Sequence, residues 1–285
     1  RDPYLCDLLR QLMASPYPAF DVVVIDQNES HDAATAALFA QYAGRVQVVP
    51  QPPRGLMQAL LLGMRAARGE ILLFLDDDII AAPDLLAAHA ANYRDPRIGG
   101  VGGLVLRPGA LPSPRRHWLL RLRPSLRPFA YHHDFAGREI VAAAPGGNMS
   151  FRAAALGGGA RLDSGIRTHH TEIEICQQVA GAGWKIVHDP AARVVHLAAP
   201  GGTRLCRGAQ QDIFTDLHYV HRKYVRGLDR AVLDAIVLWI LVVRQGLFAD
   251  PIAGLLNLWR FLRGYCLASR RAATGAARLS GAEPS

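Results

Sequence analysis

Paired cysteines are missing from this chain. Its four thiols, Cys6, Cys176, Cys206 and Cys266, stand far apart with no CxxC among them. Neither a zinc cluster nor a disulfide framework is therefore indicated, and a reducing compartment is expected. No run of 18 uncharged apolar residues is present, so no membrane-spanning helix is expected. No signal-peptide pattern opens the chain, and its first residue is Arg1, so it is expected to begin inside a longer protein. Acids are in the minority: 24 Asp and Glu face 32 Lys and Arg, a formal charge of +8. That balance invites phosphate-bearing partners, whether nucleotides, nucleic acid or an anionic membrane surface, without choosing among them. Apolar residues are plentiful. Half of the 285 residues are hydrophobic, ample for one large domain or one domain with an appendage.

Apolar periodicity switches repeatedly between helix and strand, the pattern of alternating α/β units around a mainly parallel sheet. Tyr4, Leu5, Leu8, Leu9 and Leu12 mark one helical face, and residues 21–25 (DVVVI) form a β-branched run of strand length. A turn, QNESHD, follows. Residues 33–43 suit a helix and 46–49 a short strand; Pro52 and Pro53 break the chain before a helix carrying Leu56, Leu60 and Met64. Residues 70–75 read as a buried strand, and Pro83 suits the first turn of a helix reaching Tyr93.

Three acids, Asp76, Asp77 and Asp78, close that strand. Adjacent like charges repel unless water, a helix start or a cation offsets them. Open α/β sheets bind ligands outside the carboxyl ends of their strands. Residues two apart in extended chain point the same way, so Asp76 and Asp78 would share a side about 6 to 7 Å apart at Cα. One hard cation, magnesium or manganese, would fit between them with a diphosphate as third party. The alternative is a solvated helix start capped by Asp78 or a neighbour.

Downstream, residues 140–152 (IVAAAPGGNMSFR) run through a Gly-Gly turn that allows close approach to backbone. Residues 171–174 (TEIE) match a capping box, with Thr171 as N-cap and Glu174 reaching back. Glu172 is then free to project from the helix mouth and take a proton from a hydroxyl, or serves only the helix dipole. Gly181 and Gly183 mark that helix's end. His169 and His170, just before it, line the acceptor side or form a solvated pair.

DVVVID, RGLMQALLLGMRAARGEILLFLDDD, GGNMSFR and TEIEICQQVAGAGWKIVHDPAARVVH occur in this order over residues 1–204. Together they resemble the family 2 glycosyltransferases, inverting nucleotide-sugar enzymes of the GT-A fold. The resemblance implies that Asp26 contacts the nucleotide base and that Asp76 and Asp78 are the DxD motif for metal and diphosphate, with Asp77 beside the donor. It implies that Asn148 faces the acceptor, that Glu172 is the base, and that His196 is a late metal ligand. Two departures stand out: the base position holds Glu172 where aspartate is usual, and Thr171 precedes it instead of an acid. His196 also reads simply as the end of a strand. The family further implies a central apolar strand ahead of Arg1. The Q-x-x-R-W motif of processive relatives is absent, which disfavours polymer synthesis.

The expected molecule is thus an α/β GT-A domain over residues 1–204: a nucleotide-sugar half (1–106), a basic Pro/Arg loop (107–139) and an acceptor half (140–204). Residues 107–129 hold six arginines, five prolines and no acid, fitting an acceptor-side loop or a solvated one. A helical appendage (205–271) contains the apolar run 231–243, too short to span a bilayer, and arginines that suit an anionic interface. Residues 272–285 read as a flexible tail. The expected activity is transfer of a sugar from a nucleoside-diphosphate sugar to a glycan or lipid-linked acceptor, with Mn²⁺ or Mg²⁺, in the cytoplasm or at the inner face of the membrane. A sugar nucleotidyltransferase, or an inactive membrane-docking or nucleic-acid-binding protein, is the alternative, although the basic loop has few interleaved aromatics for nucleic acid.

Overall fold

The computed structural model describes residues 2–51, 55–114, 133–157, 162–163, 165–166, 170–199, 209–239 and 251–279. Helix α1 (Asp2–Met13) buries Cys6, Leu8, Leu9 and Leu12 along one side. Strand β1 (Val22–Asp26) lies parallel to β2 (Val46–Pro50), with α2 (Ala33–Gln41) between them in sequence. Asp32 caps α2 by accepting from Thr35 N at 2.7 Å. Helix α3 (Leu56–Ala66) leads into β3 (Ile71–Leu75). The acids follow, then a strand of three residues, β4 (Ile79–Ala81), which the apolar pattern did not separate from the next helix, α4 (Leu85–Asn92).

Strands β5 (Ile98–Leu106), β6 (Glu139–Val141), β7 (Asn148–Arg152) and β8 (Lys185–His196) complete a second sheet ordered β3-β7-β5-β8-β4, with β6 also on β8. The expected mainly parallel pairing is corrected here. Only β1–β2 and β5–β8 are parallel, whereas β3–β7, β5–β7, β4–β8 and β6–β8 are antiparallel. β3 meets β7 and β4 meets β8 across more than 70 residues of sequence, and apolar periodicity, which reads each strand alone, carries no sign of the direction of such distant partners. Among the described residues, β1 and β3 have no common strand neighbour.

Alternation along β7 sends its side chains to two layers. Met149 and Phe151 pack with Ile175, Cys176 and Val179 of α6 (Thr171–Gly181), which follows the short helix α5 (Ala153–Leu156). Asn148 and Ser150 face the other way, toward α4. Helices therefore cover both faces of this sheet.

Three further helices follow: α7 (Ala209–Tyr224), α8 (Gly227–Val237) and α9 (Pro251–Leu279). Helices α7 and α9 share a core with the rest of the chain, because Tyr219, Val220 and Ala268 are buried with Met57 of α3 and Ile173 of α6, while Leu233 of α8 packs with Val225 and Tyr224. Helix α9 extends to Leu279 and so takes in residues 272–279 of the segment expected to be a tail. Residues 115–132 of the basic loop lie outside the described residues. Its stems are joined by hydrogen bonds from Ser113 N to Asp134 O (2.7 Å) and from Ala136 N to Ser113 O (2.8 Å).

Candidate active site

The turn between β3 and β4 carries Asp76, Asp77 and Asp78, and the antiparallel register of β4 with β8 sets His196 opposite Ile79. His196 Nε2 consequently lies 3.3 Å from Asp76 Oδ2 and 3.4 Å from Asp78 Oδ1. One donor atom from each of the three falls within 4.8 Å of the others. Ligands about 2.1 Å from an octahedral ion lie about 3 Å apart, so two carboxylates and an imidazole at these spacings fit a divalent cation. The cluster has a closed side and an open one: the side chain of Asp78 is 4% exposed and that of Asp76 45%. Asp78 Oδ2 accepts from Ala199 N (2.8 Å), and its carbonyl accepts from Leu197 N (2.8 Å). Ala198 between them has φ 54°, a left-handed conformation costly for a residue with a Cβ. Asp77 sits partly buried between the two.

Gly146 and Gly147 lie beside this turn, with Asp76 N donating to Gly147 O at 3.4 Å. A Cβ on Gly147 would stand 2.4 Å from Asp76 Oδ2, whereas one on Gly146 would stand 3.8 Å from Glu172 Oε2. The two glycines therefore run between the acidic cluster and Glu172 in the first turn of α6. Thr171 Oγ1 donates to Glu172 Oε2 at 3.4 Å.

The neighbouring Glu174 does not reach back to cap α6. The N-cap of α6 is His170 in a left-handed conformation (φ 62°), with no side-chain cap, so the capping box is not formed. Glu174 is fully buried and points away, accepting from Lys223 Nζ (2.8 and 3.0 Å), Tyr224 Oη (2.5 Å) and Gln178 Nε2 (3.2 Å). Lys223 also reaches Asp163 Oδ2 at 3.0 Å, and Tyr219 Oη donates to the same oxygen. Burial, with the nearby charge of His221, lowers the His170 pKa to about 4. His169 lies outside the described residues.

Asn148 was expected on the acceptor side. It is instead fully buried: Nδ2 donates to Ala192 O (2.9 Å) and Leu104 O (3.2 Å), while Oδ1 bonds His89 Nε2 (2.9 Å). These two carbonyls orient the amide, so His89 carries its proton on Nε2 and accepts on Nδ1 from Ser150 Oγ (2.8 Å), which accepts in turn from Tyr93 Oη (2.8 Å). Burial holds His89 neutral, its pKa lowered to about 4. This network fixes β7, and with it the two glycines.

Asp26 ends β1. Its Oδ1 accepts from Asn28 N (3.0 Å), and its Oδ2 meets His31 Nε2 at 2.7 Å. His31 Nδ1 in turn lies 3.1 Å from Asp2 Oδ1. Burial opposes the charged imidazole, but the hydrogen bonds and charges of Asp26 and Asp2 outweigh it and raise the His31 pKa. Neither His31 nor His89 was singled out from the sequence; nothing in the local pattern marks their partners.

Two solved structures share this fold. The mannosyltransferase PcManGT from Pyrobaculum calidifontis, in complex with GDP-Man and Mn²⁺, is 19% identical with a TM-score of 0.56; the match covers 97% of this chain and 76% of that one. S. aureus TarS 1-349 in complex with UDP-GlcNAc is 15% identical with a TM-score of 0.60, covering 92% and 76%. A curated protein of Mesorhizobium japonicum described as an N-acetylglucosaminyltransferase is 28% identical over 122 residues, 41% of this chain. That alignment spans only 28% of the relative. The family model for glycosyl transferase family 2 matches residues 1–157. With more than half of its length matched by that model, the chain belongs to glycosyl transferase family 2.

Proposed function

We propose that this protein is a metal-dependent inverting glycosyltransferase that moves a sugar from a nucleoside-diphosphate sugar to a hydroxyl of a glycan or lipid-linked acceptor. The observation that carries this reading is the convergence of Asp76, Asp78 and His196 within 4.8 Å beside a Gly-Gly turn that leads to Glu172. Asp76, Asp78 and His196 would hold Mn²⁺ or Mg²⁺, which when bound stabilises the charge developing on the leaving diphosphate. The neighbouring structures containing a nucleotide sugar, one of them with Mn²⁺, support that assignment. Asp77 and Asp26 are assigned to the donor, Asp26 at the nucleotide end, where its bond to His31 holds the carboxylate in place.

Glu172 is assigned as the base. It takes the proton from the acceptor hydroxyl as that oxygen bonds to the anomeric carbon, and the bond from this carbon to the diphosphate oxygen breaks in the same displacement. Attack from the face opposite the leaving group inverts the centre. His170, next to Glu172 and held neutral at pH 7 by its burial, is assigned to the acceptor side. Asn148 contributes by fixing the turn from beneath rather than by touching the acceptor.

Helix α9 favours a membrane-surface location for the acceptor. Leu255, Trp259 and Leu262 are exposed along one stripe while Phe261 and Ala268 are buried on the other, and the Arg263 guanidinium lies 4.9 Å from the Trp259 ring centroid. An exposed apolar stripe flanked by arginines suits the interface of an anionic bilayer. No helix among the described residues is long and apolar enough to cross a membrane.

The test is titration of the chain with nucleoside diphosphates and their sugars, with and without Mn²⁺, followed by proton NMR of the product's anomeric configuration. Binding that requires the ion, and that Asp78→Ala abolishes, is expected together with an inverted product. Ion-independent binding by the variant, or a retained configuration, would remove the proposal.

A further inference from the structure

A second group of metal-ligating side chains lies in the C-terminal helices, apart from the acidic turn. His218 and His221 occupy positions three apart on α7, so both rings leave the same face of the helix, and Asp234 faces them from α8. His221 Nδ1 lies 2.7 Å from Asp234 Oδ1, and His218 Nδ1 lies 3.6 Å from the same oxygen. Both histidines are buried and Asp234 is partly so. The His218 ring is fixed by its surroundings: its centroid is 4.4 Å from that of Phe261, and its Nε2 lies 3.1 Å from Phe261 O.

A carbonyl oxygen only accepts, so His218 carries its proton on Nε2. In that neutral form Nδ1 presents a lone pair, and this atom is buried without a hydrogen-bond partner among the described residues. It faces a carboxylate oxygen 3.6 Å away, beyond hydrogen-bonding reach and of the same acceptor character. An imidazole that donates one nitrogen to a backbone carbonyl and aims the other at a carboxylate and a second imidazole has the usual arrangement of a metal ligand with its orienting hydrogen bond. Tetrahedral ligands about 2.0 to 2.1 Å from zinc lie about 3.3 Å apart, a spacing that the 2.7 and 3.6 Å separations bracket.

We infer that His218 Nδ1, His221 Nδ1 and Asp234 Oδ1 form a zinc-type site that ties α7 to α8, with a fourth position open to water. On binding, the proton of His221 Nδ1 is released or moves to Nε2, and the ion takes its place between ring and carboxylate. Two imidazoles and one carboxylate favour Zn²⁺ over Mg²⁺ or Mn²⁺, so the site is softer than the acidic turn, where two carboxylates stand with one imidazole.

The test uses the full chain, without an affinity tag, carrying Asp76→Asn and Asp78→Asn to silence the acidic turn. After chelation and dialysis, zinc alone is titrated and the loaded sample is studied by zinc X-ray absorption. One tightly bound equivalent with two imidazole nitrogens in the coordination shell is expected, and adding Asp234→Asn should lower the affinity by 10-fold or more. Failure of the doubly substituted chain to retain zinc, or a shell with fewer than two imidazoles, would overturn the assignment. The imidazole count decides even if the Asp234→Asn chain does not fold. The same measurement on the unsubstituted chain, saturated with Mn²⁺ and given less than one equivalent of zinc, decides if the Asn variants do not.

Discussion

Replacing Gly147 by alanine adds one methyl group, and its position can be worked out from the fold. The new Cβ would lie 2.4 Å from Asp76 Oδ2 and 2.8 Å from Asp76 Cγ. To regain ordinary contact, the carboxylate must retreat by about 1 Å. It cannot carry its backbone along freely, because Asp76 N is bonded to Gly147 O. Gly147 has no positive φ, so backbone strain contributes nothing and the effect falls on the carboxylate. Retreat opens the 3.3 Å approach to His196. A misplacement of about 1 Å at reacting groups costs about 10²-fold in rate. Mn²⁺-dependent sugar transfer by Gly147→Ala should therefore fall by about 10²-fold. Gly146→Ala is the matched control: its Cβ would stand 3.8 Å from Glu172 Oε2, an ordinary contact, and turnover should stay within about threefold. Steady-state rates at several Mn²⁺ concentrations measure both. Unchanged rate and metal dependence in Gly147→Ala, or an equal loss in both variants, would refute the reasoning.

Three other outcomes are expected. Glu172→Gln should leave donor affinity, read by calorimetry, within a few-fold while turnover falls by about 10² to 10⁴; full activity would shift the base elsewhere. Lys223→Met should lower unfolding free energy by about 3 kcal/mol, read by urea titration, because it leaves the buried Glu174 carboxylate without its cation, and adding Glu174→Gln should restore part of the loss. His31 gains its charged form on folding, so its contribution is fully present below the ordinary imidazole value near 6.5 and is lost as pH rises through the higher folded value. The urea midpoint of the native chain should thus exceed that of His31→Phe by more at pH 6 than at pH 9, and a constant difference would show that the imidazole is not charged in the fold.

Local periodicity made the long elements legible: DVVVI, ILLFL and TEIEICQQVAG all carry the apolar pattern of the strand or helix they form. Strand β5 escaped because its sequence, IGGVGGLVL, has four glycines in nine residues, and glycine is poor in strands. Those glycines accept large neighbours: a Cβ on Gly100 would meet the Phe151 ring at 2.7 Å. Strand β4 escaped because three apolar residues followed by alanines look like a helix start. The acidic pair and His196 stand about 120 residues apart, and the β4–β8 register and the bonds of Asp78 to Leu197 N and Ala199 N join them; their association came from family resemblance. Glu174 misled because a T-x-x-E pattern is local, whereas its partners are 49 and 50 residues away. Asn148 misled because strand alternation had to be known before its direction could be read.

The clasp of Glu174 and Asp163 by Lys223, Tyr219 and Tyr224 bears on how such proteins diversify. Although the family model stops at residue 157, the helices beyond it are riveted to α6, the helix that carries the assigned base, through a buried carboxylate. Recombination that exchanged α7 to α9 for those of a relative would strand that carboxylate unless the donor brought matching cationic and phenolic groups. New acceptor preferences are accordingly easier to acquire by substituting residues around the helix mouth than by shuffling whole segments, and chimaeras should be cut on the far side of the clasp, keeping Asp163 and Glu174 with their partners.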